Sequence, residues 1–315
     1  MPPARCIARG RISAALAVLA VIFLPTLAAC NGASTTTTGS AATATPTRAA
    51  ATPASTPTGR YTAHLLLHGS QRPDDLTFDL QGRLLFSDYY AGTVSRLNVD
   101  GSISVLLRGL AGPEGLVMLS DGTLIIAEQR TNRILSVAPY SSSPTVLRDL
   151  PGANSGVTCK EGVDSIALDP TNMTLIVPDS PTGDVYRMSV DGGSLTKIAS
   201  GIVRPVGAVV DVQGNVYVSD ECGGAVVRIT PAGAVTRIGG FSMPDDVAFD
   251  PQGRLLVIDL GPSAHALIRV DLRTGQRETL AATGFIEPQG LAVDARGDVF
   301  VSDDVSNRIV EYTPA

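Results

Sequence analysis

From residue 73 onward the chain repeats one pattern six times, and this repetition constrains its fold more than any other feature. A proline or its equivalent precedes a polar residue, a turn residue and an alternating apolar strand ending in aspartate. A glycine-containing turn leads to a second apolar strand that ends in an acidic residue. A third strand carries arginine beside an aliphatic residue, and a fourth is β-branched and apolar. The first copy runs Pro73-Asp74-Asp75-Leu76-Thr77-Phe78-Asp79, then Gly82-Arg83-Leu84-Leu85-Phe86-Ser87-Asp88, then Val94-Ser95-Arg96-Leu97 and Ile103 to Leu107. Later copies start at Pro113, Val163, Pro205, Pro244 and Pro288, with spacings of 40, 50, 42, 39 and 44 residues. Periods of this size belong to propeller blades. Helical periodicity is absent, and short strands alternate with Gly, Pro, Asp and Asn turns. The chain has no Trp, which argues against repeats built on a Trp-Asp dipeptide. The expected fold is all-β, a six-bladed β-propeller.

Closure is legible too. The sixth copy stops at Ala315 after its third strand, Arg308 to Tyr312, and lacks a fourth. Tyr61 to Leu67 is an orphan strand of the missing kind. Paired with the last blade, this N-terminal strand would close the ring and remove an exposed sheet edge.

The first 60 residues carry no such pattern. Arg5, Arg9 and Arg11 precede an apolar run from Ile12 to Leu24, too short and one-sided for a transmembrane span. Leu27-Ala28-Ala29-Cys30 follows and resembles the lipobox of bacterial lipoproteins, in which the Cys thiol is acylated and cleavage leaves that Cys first. The expected organisation is a signal peptide over 1–29, then Cys30 and a disordered Ser/Thr/Ala/Pro tether over 30–60, then the propeller over 61–315. The resemblance implies a lipid-anchored protein on the extracytoplasmic side of the cell membrane. More than one acyl chain would make that anchorage stable.

Charge narrows the partners. The formal net charge is -6, and removal of the three arginines of residues 1–29, which hold no acids, takes it to -9. An acidic domain without a basic stripe is a poor nucleic-acid binder, so no nucleic acid is expected.

The repeat resembles NHL repeats and, more broadly, six-bladed propellers of the senescence-marker-protein/gluconolactonase/LRE-like group. Pro288-Gln289-Gly290-Leu291-Ala292-Val293-Asp294, Val301-Ser302-Asp303 and Asn307-Arg308-Ile309 carry the likeness. Val163-Asp164-Ser165-Ile166 with Pro178-Asp179-Ser180-Pro181-Thr182-Gly183 is similar to the gluconolactonase side, and Ala127-Glu128-Gln129 to streptogramin-lyase-type propellers.

In a propeller the residue after the leading proline can face the central channel. Around the ring this position holds Asp74, Glu114, Asp164, Val206, Asp245 and Gln289. If the carboxylates lie about 8 Å apart, each charged pair costs roughly 2 kcal/mol at an effective dielectric near 20. Protonation or a cation among them would relieve that repulsion. All-oxygen donors favour Ca²⁺ or another hard divalent cation, so Asp74, Glu114, Asp164 and Asp245 are candidate metal ligands and Gln289 a candidate ligand contact. The same residues also read as turn caps. None of His64, His68 and His265 falls in the ring, and no organic cofactor motif is present. His265 reads first as a loop residue.

The resemblance implies a channel metal held by Glu, Asn and Asp, and lactone hydrolysis in several members. Here Asp74 stands at the Glu position and Asp164 where Asn is usual. Val206 replaces an expected Asp, although Pro244-Asp245 occurs one blade later. A second acidic set, Asp88, Glu128, Asp179, Asp220, Asp259 and Asp303, ends the second strands and reads as turn bracing.

Cys159, in the long lead-in to the third blade, and Cys222, in a turn of the fourth, fall on one face of neighbouring blades. Outside the cytoplasm such a pair is expected as a disulfide. The leading functional expectation is a binding module offering an acidic channel face to a small-molecule or protein ligand. The alternative is a divalent-metal-dependent hydrolase of lactones or related esters.

Overall fold

The computed structural model describes residues 61–314 apart from Asn172 and Ser263. The expected signal peptide, Cys30 and tether lie outside the described residues. Six four-stranded antiparallel sheets form a six-bladed β-propeller. Blade four shows the plan: an inner strand Pro205–Val210, a second Val216–Asp220, a third Ala225–Ile229 and an outer Val235–Gly239. Pro205 pairs with Asp220, so the start of the inner strand and the end of the second meet at one face.

The second strands are buried along their whole length in blades one, two, four, five and six. Neighbouring blades cover both of their faces. That is why they read as continuous apolar runs and not as an alternation. Outer strands are less buried, and that of blade four, Val235–Gly239, is largely exposed.

The core is not a single mass. It is a set of layers between adjacent blades. Ile125 and Ala127 of blade two pack with Leu175, Val177 and Met188 of blade three. Phe86 of blade one packs with Phe300 and Ile309 of blade six, and Phe78 meets Phe300 edge-on at 5.2 Å between ring centroids. Such edge-to-face pairs add about 1 kcal/mol beyond the area they bury.

The ring closes as expected. Tyr61–His68 pairs antiparallel with Arg308–Pro314, from Tyr61 opposite Pro314 to His68 opposite Arg308, with a bulge between Leu65 and Leu67. The N-terminal strand is therefore the outer strand of blade six. Leu67 is buried in the layer between blades six and one, which ties the first strand to both ends of the ring.

The channel is narrow because alternate blades lack a side chain where their inner strands meet. The residue following the ring position is, in blade order, Asp75, Gly115, Ser165, Gly207, Asp246 and Gly290. A Cβ on Gly207 would fall 2.4 Å from the Asp245 carbonyl oxygen, and one on Gly290 2.4 Å from that of Asp74. Only glycine permits so close a backbone approach.

Candidate functional site

Asp74, Asp164, Asp245 and Gln289, four of the residues expected at the channel, do line one small cavity there, together with Asp75, Ser165 and Asp246. Its volume is about 10 Å³, room for one water at most. All seven side chains belong to buried residues. Glu114 is fully buried at the same ring position in blade two but does not line this cavity. Val206 is also fully buried.

Asp75 and Asp246 were not expected at this site. Their carboxylates hold inner strands together. Asp75 accepts the Leu76 amide at 2.6 Å with one oxygen, and with the other the Leu116 amide at 3.0 Å and the Ser165 hydroxyl at 3.2 Å. Asp246 accepts the Val247 amide at 2.8 Å and the Leu291 amide at 2.9 Å. Each carboxylate thus bonds across to the following blade. The alternation of side chain and glycine one residue past the ring position is the sequence signal that marks them.

The inner residues compete for charge. Burial pushes Asp75 well above the usual carboxylate range, and the nearby charge of Asp246 adds to this. The amides that Asp75 accepts pull the other way and lose. Burial also raises Asp246 to about 7, with Asp164 and Asp74 adding repulsion against the stabilising Val247 and Leu291 amides. Asp245 is raised well by burial and by the Asp164 charge, partly offset by Arg204. The inner cluster therefore carries less negative charge at neutral pH than its composition suggests.

Arg204, two residues ahead of the ring position in blade four, supplies the cation. Its guanidinium reaches Asp164 Oδ2 at 3.1 Å and Glu161 Oε2 at 3.3 Å, and it donates from Nη1 to Glu221 Oε2. Gln129 donates from Nε2 to the same Asp164 oxygen at 3.0 Å. Arg204 is itself buried. Its sequence neighbourhood, Ile202-Val203-Arg204-Pro205, gives no hint that three carboxylates from two blades converge on it.

The expected disulfide is present. Cys159 and Cys222 are joined across blades three and four with their Cα atoms 6.1 Å apart. Each cysteine lies within two residues of an Arg204 partner in sequence, Cys159 of Glu161 and Cys222 of Glu221. Lys160 Nζ donates to the Val203 carbonyl at 3.3 Å on the same side. The covalent bond therefore fixes the loop that delivers Glu161 to Arg204.

The Asp164 oxygen is taken by Arg204 and Gln129, and Asp75 and Asp246 are committed to backbone amides. Among the described residues no three His, Cys, Asp or Glu side chains are grouped to hold a metal ion.

The second acidic set is structural. Asp259 accepts the Ser242 and Met243 amides, both at 2.8 Å, and the Gly261 amide at 3.2 Å. Asp220 accepts the amides of Arg204 at 3.0 Å and Gly223 at 3.1 Å, and Arg237 Nη2 at 2.8 Å. Asp179 accepts the Gly152 amide and Asn132 Nδ2, both at 2.9 Å. These carboxylates clamp the lead-in of their own blade to the turn before its third strand. His265 sits in the corresponding turn of blade five in left-handed backbone (φ 41°), with its amide bonded to the Gly261 carbonyl at 3.1 Å.

The channel mouth has an apolar and aromatic rim. Tyr90, Val157, Val203, Ile286 and Val305 are exposed on lead-in loops and turns of this face. Arg72 lies 3.7 Å over the Tyr90 ring, and Arg130 lies 4.4 Å over that of Tyr89.

No protein-family model matches the sequence, and no curated protein matches it. Solved structures do match. A gluconolactonase from Xanthomonas campestris superposes with a TM-score of 0.68 at 18% identity, covering 82% of this chain and 91% of that one. A catalytically inactive virginiamycin B lyase from Staphylococcus aureus, crystallised with quinupristin, gives 0.63 at 17% identity, covering 81% and 100%. A putative glucose dehydrogenase from Thermus thermophilus gives 0.60 at 16% identity, covering 81% and 100%. At these identities the likeness is one of fold. The chain is a six-bladed propeller with neighbours of the gluconolactonase and virginiamycin B lyase types.

Proposed function

We propose that this protein is a membrane-anchored, extracytoplasmic binding module that receives a small-molecule or protein ligand at the channel mouth. The observation that carries this reading is the mouth itself. Arg204 is buried among Glu161, Asp164 and Glu221, within a rim that exposes Tyr90, Val203 and Ile286. Arg204 places a fixed cation on one residue of the acidic ring, Asp164. The exposed side chains on this face, Tyr90 among them, supply apolar and aromatic contact area to such a ligand.

The gluconolactonase-like neighbours favour a second reading, a hydrolase of lactones or related esters that uses a divalent cation. It requires Arg204 to leave Asp164, so that Asp74, Asp164 and Asp245 can face an ion. Elemental analysis of the purified protein, followed by a lactone panel with and without chelator, separates the two. Chelator-sensitive turnover that is lost in Asp164→Ala overturns the binding reading. The anchor is tested separately: labelled palmitate should enter the wild-type protein in cells and not the Cys30→Ser variant.

A further inference from the structure

At the opposite face from the channel mouth a groove of about 460 Å³ opens between blades one and two. That volume is within the range of about 300–1,000 Å³ typical of small-molecule sites. The turns that border it, around Leu80, Gly122 and Tyr140, join strands at the ends remote from the mouth. The buried residues Leu85, Leu107, Leu124 and Val137 form its floor, and Met118 is half-buried beside them. Leu80, Val105 and Tyr140 expose apolar surface at its rim. Tyr140 is fully exposed and held in left-handed backbone (φ 63°), a conformation that costs a non-glycine residue about 1 kcal/mol or more.

Of the two arginines in this groove, Arg83 is ion-paired with Asp79 and Arg96 is not paired with any described residue. At the matching third-strand position Arg187 is ion-paired with Asp169 and Arg269 with Glu278, whereas Arg228 makes no ion pair with any described residue. Arg96, at the same place in blade one, donates from Nε to the neutral Asn98 Oδ1 at 2.9 Å and makes no ion pair with any described residue. It is half-buried and lines the groove. Of the two carboxylates in the lining, Asp79 pairs with Arg83 at 2.7 Å, and Asp121 keeps its charge on an exposed turn, where it accepts the Thr123 amide. A corresponding groove between blades four and five is lined by Asp211, Asp250 and Asp271 together with Arg228, Arg254 and Arg273.

We propose that the groove between blades one and two binds a small amphipathic carboxylate, with its aliphatic or aromatic body on the apolar floor and its carboxylate on the Arg96 guanidinium. The planar fork of arginine suits a carboxylate in a two-point contact. Low polarity around a half-buried guanidinium strengthens that contact relative to open water. The site is independent of the channel mouth and of any metal.

The test is titration calorimetry of the unlipidated mature chain with dodecanoate and with dodecanol, both below their aggregation limits. Dodecanoate should bind one to one, and Arg96→Gln should weaken it about tenfold or more, as expected for a lost charge-assisted contact. Arg96→Lys should keep part of the affinity, and dodecanol should bind weakly and equally to wild type and Arg96→Gln. Leu80→Asp, a change at an exposed rim position, guards against a variant that fails to fold; it should also weaken dodecanoate. Absence of saturable dodecanoate binding overturns the proposal. So does equal affinity in wild type and Arg96→Gln, or, where that variant does not fold, in wild type and Leu80→Asp.

Discussion

Replacing Arg204 with methionine tests the central feature of the channel mouth. Methionine keeps much of the side-chain volume, so the change removes a charge and leaves little cavity. In the folded protein three carboxylates, Glu161, Asp164 and Glu221, then lose their common cation. A single unit-charge pair near 4 Å is worth about 4 kcal/mol at an effective dielectric near 20, before the cost of desolvation is subtracted. Breaking a buried pair by removing one partner costs about 3–5 kcal/mol. We expect a loss in that range near neutral pH, a large part of the roughly 5–15 kcal/mol that holds a typical protein folded. The loss should shrink in acid. The Arg204 charge holds Asp245 down against its burial, so Arg204→Met lets that carboxyl rise further. A carboxyl raised in the folded state stabilises at low pH and gives that stability up as pH rises, so the variant suffers most at high pH. Urea unfolding followed by far-UV circular dichroism, at about pH 7 and about pH 5, measures both effects. A loss below about 1 kcal/mol near neutral pH, or one of equal size at both pH values, would refute the buried-cation argument.

Three other outcomes follow from the same structure. Stability of the wild-type protein should fall as pH rises from about 4 to about 7, because Asp75, Asp245 and Asp246 are raised by burial and hold protons in the folded state that the unfolded chain releases; melting temperatures that climb steadily over this window would contradict it. Replacing Cys159 and Cys222 by serine opens a loop of 63 residues and should cost about 4 kcal/mol, read as a lower urea midpoint, whereas an unchanged midpoint would show that the bond adds no constraint. A chain starting at Pro73 loses the outer strand of blade six and should lose cooperative unfolding across the whole ring, and melting like the parent would disprove closure by Tyr61–His68.

Much of the fold was legible because it is periodic. Each blade buries the same faces against its neighbours, so each copy repeats the same apolar and turn positions, and the missing fourth strand of the last copy stands out. The aspartates ending the second strands were legible for a related reason. Their partners are amides and side chains of their own blade and its immediate neighbour, as with Asp259 and the amides of Ser242, Met243 and Gly261. The ring of Asp74, Asp164, Asp245 and Gln289 was found from position alone, and the disulfide from two cysteines on one face.

The mouth was harder to read. Arg204 looks in the sequence like any loop arginine, and its meaning comes from Glu161 and Asp164 in one blade and Glu221 in another. Asp75 was hidden in the pair Asp74-Asp75, and Asp246 in the pair Asp245-Asp246. Their bonds to Leu116 and Leu291 exist only once neighbouring inner strands are brought together.

By itself the sequence determined the six-fold repeat, the closing strand and the acidic ring, because these depend on the local order of apolar, turn and charged residues. Only the tertiary structure decided how that acidity is held. Burial raises Asp75, Asp245 and Asp246, and Arg204 pairs with Glu161, Asp164 and Glu221. Desolvation and charge pairing depend on groups distant in the chain and close in space, and no local pattern encodes that proximity.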